Sequence, residues 1–229
     1  MLSAIAIVPS APVMVPELAG AAATETADLR AAATAAAASL GRRWVAVGVG
    51  EADGVFAPGS RGTFAGYGVD LPVALSPAAM SATPTALPLC ALIAGWLRGL
   101  AEPGGEVEVQ VLSSDEHTDA ARRRGQDLRA DLDHNAEPIG VLVVADGAAT
   151  LSAGAPGGHD PDSVPVQAAL DDALAAGDPT ALLGLPSSIV GRAAYQALAG
   201  LAESGPGTAV EFYRGAPYGV GYFVGVWTP

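Results

Sequence analysis

The chain has 229 residues, with 24 Asp or Glu against 11 Lys or Arg, for a formal net charge of −13. Every basic residue is an arginine; the missing lysine excludes Schiff-base chemistry and a Walker-type phosphate lysine, and the negative balance repels nucleic acid. Residues are 50% hydrophobic, but many of these are alanine, and the longest strongly apolar run, Ala86–Leu97, is far short of the ~20 residues of a spanning helix, so no membrane partner is expected.

Ser3–Val8 reads as a buried strand running into a proline-rich loop, Pro9–Pro16. A secretory leader is not expected, because the first basic residue is Arg30 and three prolines interrupt the apolar stretch. Glu17–Leu40 is predicted as one alanine-rich helix, with Glu25 and Asp28 towards its front and Gly41 beyond its end. Trp44–Val49 is a short apolar strand. Val55–Val69 is glycine-rich and reads as irregular, and Val69–Leu75 reads as a further strand. Leu87–Leu100 is a buried helix with prolines at its entry.

Glu106–Leu112 alternates at period two, Thr118–Asp133 is a polar, arginine-rich helix, and Ile139–Ala145 is a continuous apolar strand. Helices are predicted at Val164–Ala176, Pro179–Leu183 and Ser187–Glu203, and strands at Thr208–Tyr213 and Gly221–Trp227. The alternation predicts an α/β fold over residues 1–229: one domain, with a mixed, mostly parallel central sheet flanked by helices on both faces. The lone cysteine, Cys90, reads as a small core residue. It cannot form an internal disulfide, which fits a cytoplasmic location.

In such a sheet, ligands collect where strands give way to loops. Gly48-Val49-Gly50-Glu51-Ala52-Asp53-Gly54 has the wrong spacing for a dinucleotide turn, and Pro58 and Gly59 deny it the helix that would hold a pyrophosphate. Ser113–Thr118 gathers acids, hydroxyls and His117, which suits either metal and acid–base work or plain helix capping by Ser114, Asp115 or Thr118. Asp146, at the end of the most apolar strand, could pair with His159 as acid and base, or simply cap a turn. Three histidines, counting the surface-type His134, and one cysteine are too few for a His/Cys zinc site. No nucleophile elbow is present.

Val8-Pro9-Ser10-Ala11-Pro12-Val13-Met14-Val15-Pro16-Glu17 resembles the amino-terminal "HPPLLVPE"-like segment of the catalytic subunits of class III extradiol ring-cleaving dioxygenases and their Memo-type relatives. Ala216-Pro217-Tyr218-Gly219-Val220-Gly221-Tyr222-Phe223 is similar to the closing strand of a small, alanine-rich actinobacterial branch of that superfamily. Tyr67-Gly68-Val69-Asp70 and Asp146-Gly147 fall where the branch carries like segments. The resemblance implies a mixed sheet and, in active members, a non-haem Fe(II) on two histidines and a carboxylate. Here the first histidine position is Ser10, no histidine lies in Gly50–Asp53, and Ala148, Ala149 and Thr150 stand where the catalytic base is expected. Loss of the iron is therefore expected, with no resident cofactor. Glu51, Asp53, Asp146 and His159 leave room for an oxygen-rich divalent-cation site if they converge.

Two functions follow from these readings: a small-ligand binder or scaffold, or an enzyme with a remodelled metal-assisted or hydrolytic site. Ser10, Glu51, Asp53, Asp146 and Tyr218 are expected to line one cleft, with Tyr218 and Tyr222 supplying its apolar wall. The ligand itself and any homo-oligomer are not specified by the sequence.

Overall fold

The computed structural model describes residues 1–229. Its main sheet is built from β1 (Leu2–Val8), β2 (Arg43–Gly50), β3 (Gly54–Phe56), β6 (Glu106–Ser113), β7 (Ile139–Val144), β8 (Thr208–Gly215) and β9 (Tyr222–Thr228). A separate two-stranded ladder joins β4 (Arg61–Thr63) to β5 (Pro72–Ala74). The main order is β3-β6-β2-β7-β1-β9-β8. The central β6, β2, β7 and β1 run parallel, whereas β3, β9 and β8 are antiparallel to their neighbours. The sheet is mixed, as the sequence predicts, and the strands expected at Ser3–Val8, Trp44–Val49, Glu106–Leu112, Ile139–Ala145, Thr208–Tyr213 and Gly221–Trp227 belong to it, whereas the one expected at Val69–Leu75 is the short β5 of the separate ladder.

Side chains on a strand alternate between faces, and β1 shows the consequence. Ala4, Ala6 and Val8 pack on one side, with α2 (Ala27–Ala38) and α3 (Leu89–Ala101); Ile5 and Ile7 pack on the other. The second layer holds α4 (Thr118–Asp133), α5 (Ser163–Ala176) and α6 (Arg192–Leu201). No helix is long and apolar enough to cross a membrane.

Several local expectations need correction. Glu17–Leu40 is not one helix. A four-residue α1 (Pro16–Ala19) ends at Gly20, whose φ of +55° takes the chain out of helical geometry, and a 3-10 turn precedes α2. The irregular stretch after residue 54 contains β3, β4 and a 3-10 turn, Phe64–Tyr67, while Ala181–Gly184 is a 3-10 turn rather than an α-helix. His117 occupies the N-cap of α4, and no side chain caps that helix. Of the expected caps, Asp115 instead accepts from Ser113 Oγ, which holds its carboxyl below the usual range, and Thr118 Oγ1 accepts from Gln196.

Candidate functional site

Because β6, β2, β7 and β1 are parallel, their carboxyl ends share one edge. The chain leaves β1 and β2 towards the α2 and α3 layer, but leaves β6 and β7 towards the α4, α5 and α6 layer. Neighbouring loops therefore part in opposite directions, which makes these strand ends topological switch points, where open α/β sheets bind ligands.

The switch point between β1 and β7 holds Ser10 and Asp146. The Ser10 backbone N–H donates to Asp146 Oδ1 at 2.8 Å. Burial raises the Asp146 pKa to about 7 against the opposing pull of that hydrogen bond, although the side chain keeps partial contact with solvent. The backbone behind it is tightly held. Tyr195 Oη donates to the Ala145 carbonyl at 3.0 Å, while the Gly191 and Val190 N–H groups donate to the carbonyls of Asp146 and Gly147 at 2.8 and 3.1 Å. The Ala148 N–H finds its acceptor in the buried Gln167 side chain, which in turn donates to Asp171 at 2.8 Å. Gly147 and Gly221 flank that amide so closely that a Cβ on either would lie 2.0 or 2.2 Å from it. Asp146 is thus a preorganised carboxyl on a rigid turn.

A second feature lies at the ends of β2 and β6, a cleft of about 640 Å³. Asp53 shapes its rim: Oδ1 accepts the Ser113 N–H at 2.8 Å and Oδ2 lies 3.7 Å from Arg124, so this acid is committed to folding the loop back into β3. Glu51, on the same rim, makes neither a hydrogen bond nor an ion pair. Val49, Phe56, Leu87, Leu89 and Val190 give the cleft apolar walls, and Tyr67 joins its lining. Tyr67 is braced edge-on against buried Phe64, with centroids 6.1 Å apart. Its phenol pKa is raised by burial first, then by Cys90 and Glu51.

The sequence candidates divide accordingly. Ser10 and Asp146 are brought into hydrogen-bond contact, and Glu51 and Asp53 line the β2/β6 cleft; the two pairs do not line one cleft. Tyr222 is no pocket wall but a core side chain, its hydroxyl pKa raised by burial and then by the nearby Asp146. Tyr218 is exposed, donates its hydroxyl to Glu25 and is the only non-glycine residue at positive φ (61°). His159 is exposed on the loop after β7, its backbone bridged to Leu151. The oxygen-rich cation site does not assemble, since no group of three His, Cys, Asp or Glu side chains converges to hold a metal ion. Cys90 is fully buried, with a thiol pKa pushed up to about 12 by burial, and is a core residue as expected.

The residues that sequence reasoning missed are Gln167 and Tyr67. Gln167 carried a signal: Gln167, Leu170, Asp171 and Leu174 recur at helical spacing, which puts two polar groups on the apolar stripe of α5 and predicts that they serve each other or the backbone. Tyr67 stood out only as part of the resembling segment Tyr67–Asp70 and not as a site residue, since its place at the cleft depends on the β4–β5 ladder.

No family model matches this chain, and no curated protein matches it. Among solved structures it is similar to the crystal structure of uncharacterized protein JW3007 from Escherichia coli K12, with a TM-score of 0.61 and 13% identity, covering 99% of this chain and 100% of that one. At that identity the likeness concerns the fold alone.

Proposed function

We propose that this chain is a small-ligand-binding protein on a dioxygenase-like fold that no longer performs iron-dependent ring cleavage. The observation that carries the reading is the cleft between β2 and β6, whose volume of about 640 Å³ falls in the range of small-molecule sites. Its position beyond the carboxyl ends of parallel strands supports the same conclusion. A facial triad would need two imidazoles and a carboxylate around one point. Ser10 offers a hydroxyl where the resemblance expects imidazole, and one oxygen of Asp146 is occupied by the Ser10 N–H. His117 and His134 mark opposite ends of α4, too far apart to join one shell. The residues present do not fit iron.

Anaerobic loading with Fe(II), followed by oxygen uptake with protocatechuate, tests the loss of ring cleavage. The expected result is no stoichiometric iron and no uptake above background; uptake that follows bound iron would overturn the reading.

A second reading, an acid–base enzyme, is favoured by Asp146. A half-buried carboxyl on a rigid turn that titrates near 7 is poised to exchange a proton at neutral pH. This reading requires substrate to reach the β1/β7 switch point, and it predicts turnover that is lost in Asp146→Asn.

A further inference from the structure

We propose that the cleft between β2 and β6 takes an organic monocation, an ammonium group on an apolar, ring-sized body, with Glu51 as its counter-ion and the Tyr67 ring as one wall. This inference rests on the small-ligand reading and adds the chemical class of the ligand.

Three observations carry it. The cleft lining has acids but no base: Glu51 and Asp53 line it, and Arg124, outside the lining, lies 3.7 Å from Asp53. A phosphate or carboxylate ligand would meet only like charge. Of the two acids, Asp53 already accepts the Ser113 N–H, whereas the Glu51 carboxylate has no partner. One free negative charge therefore remains for a ligand to neutralise.

The walls decide between cations. A hydrated divalent ion needs several oxygen donors, and no third metal-binding side chain joins the two acids. Phe56, Leu87, Leu89 and Val190 instead present carbon, which suits the body of an organic amine. Tyr67 completes the match. Its hydroxyl has no hydrogen-bond partner, its side chain lines the cleft, and the face of a tyrosine attracts a cation within about 6 Å. The net charge of −13 adds long-range attraction for such a ligand.

The test uses the full chain and three fluorescent probes of one shape: naphthylethylammonium, naphthylethanol and naphthylpropionate, titrated by anisotropy at low salt. The ammonium probe should bind at least tenfold more tightly than the alcohol, and the propionate more weakly than either. Glu51→Gln should erase the preference for the cation while leaving alcohol binding in place. Tyr67→Leu should weaken the ammonium probe severalfold. Glu51 is exposed and unpaired, so its variant should keep the parent Tm, which a melt confirms. If the alcohol or propionate binds as well as the ammonium, or if Glu51→Gln keeps the preference, the cation assignment fails and the cleft remains a small-ligand site. If no probe shows saturable binding, the cation assignment and this cleft's role as a ligand site fall together.

Discussion

Gly125→Ala, in the middle of α4, sets helix propensity against packing. By propensity alone the change should stabilise the protein, because glycine inside a helix costs about 1 kcal/mol relative to alanine. The structure reverses the sign. A Cβ on Gly125 would lie 1.9 Å from the Ala197 carbonyl oxygen and 2.8 Å from the Leu201 nitrogen, all of it α6 backbone. Gly200 makes the reciprocal approach, its Cβ position 2.0 Å from the Arg122 carbonyl oxygen. An ordinary carbon–oxygen contact is about 3.3 Å or more, so the two helices would have to part by roughly 1.4 Å at the crossing. No rotamer change relieves the clash, because the obstacle is main chain.

Parting the helices opens the seam formed by Ala121, Leu128 and Leu132 with Ala194, Leu198 and Leu201. A radial gap of about 1 Å already forfeits up to half of a contact's attraction. Overpacking costs typically about 1–3 kcal/mol, and a backbone obstacle belongs at the upper end. Subtracting the propensity gain leaves a net loss of roughly 2 kcal/mol, or a Tm lowered by about 4–8 °C for a chain of this size. Thermal and urea unfolding would measure it, with Gly99→Ala as control. Gly99 is exposed near the end of α3, with nothing within 4 Å of its Cβ position, so its variant should be neutral or slightly stabilising. A Gly125→Ala protein as stable as its parent, or more so, would refute the close crossing.

Gln167→Leu leaves the buried Ala148 N–H without its acceptor, a loss of about 1–3 kcal/mol that chemical denaturation would register, with faster amide exchange at Ala148. Arg98 is a buried guanidinium whose partners are the carbonyls of Ala74, Pro103 and Gly105; Arg98→Ala should cost on the order of 3 kcal/mol, and lysine should not rescue it because an ammonium cannot span the three acceptors. Asp146 is held in the folded protein at about 7, above its unfolded value of ~3.9, so it contributes stability that is complete below pH ~4 and is lost as pH rises towards 7. Denaturation from pH 4 to 8 should therefore show Asp146→Asn gaining on the parent as pH rises and levelling off above 7; a difference independent of pH would mean that the carboxyl titrates normally.

The strands of the central sheet were legible in the sequence because they are buried on both faces. Ile139–Val144 is apolar at every position, and nothing but a middle strand between two helical layers accommodates such a run. The charged face of α4 and the two polar residues on the apolar stripe of α5 were equally open to reading from helical spacing. So was the absence of imidazole at Ser10, since residue identity at a position needs no coordinates.

The site was less legible. That Ser10 meets Asp146 follows from the parallel pairing of β1 with β7, which joins residues 136 positions apart. That Asp53 pins its loop while Glu51, two residues away, stays free follows from the Ser113 N–H, a hydrogen bond from the end of β6. Composition counts both carboxylates alike. Sequence determines which groups are available and which faces of each element are apolar, because those depend on local order along the chain. Which group is satisfied and which is left for a ligand depends on contacts between distant segments, and those exist only after the sheet has assembled.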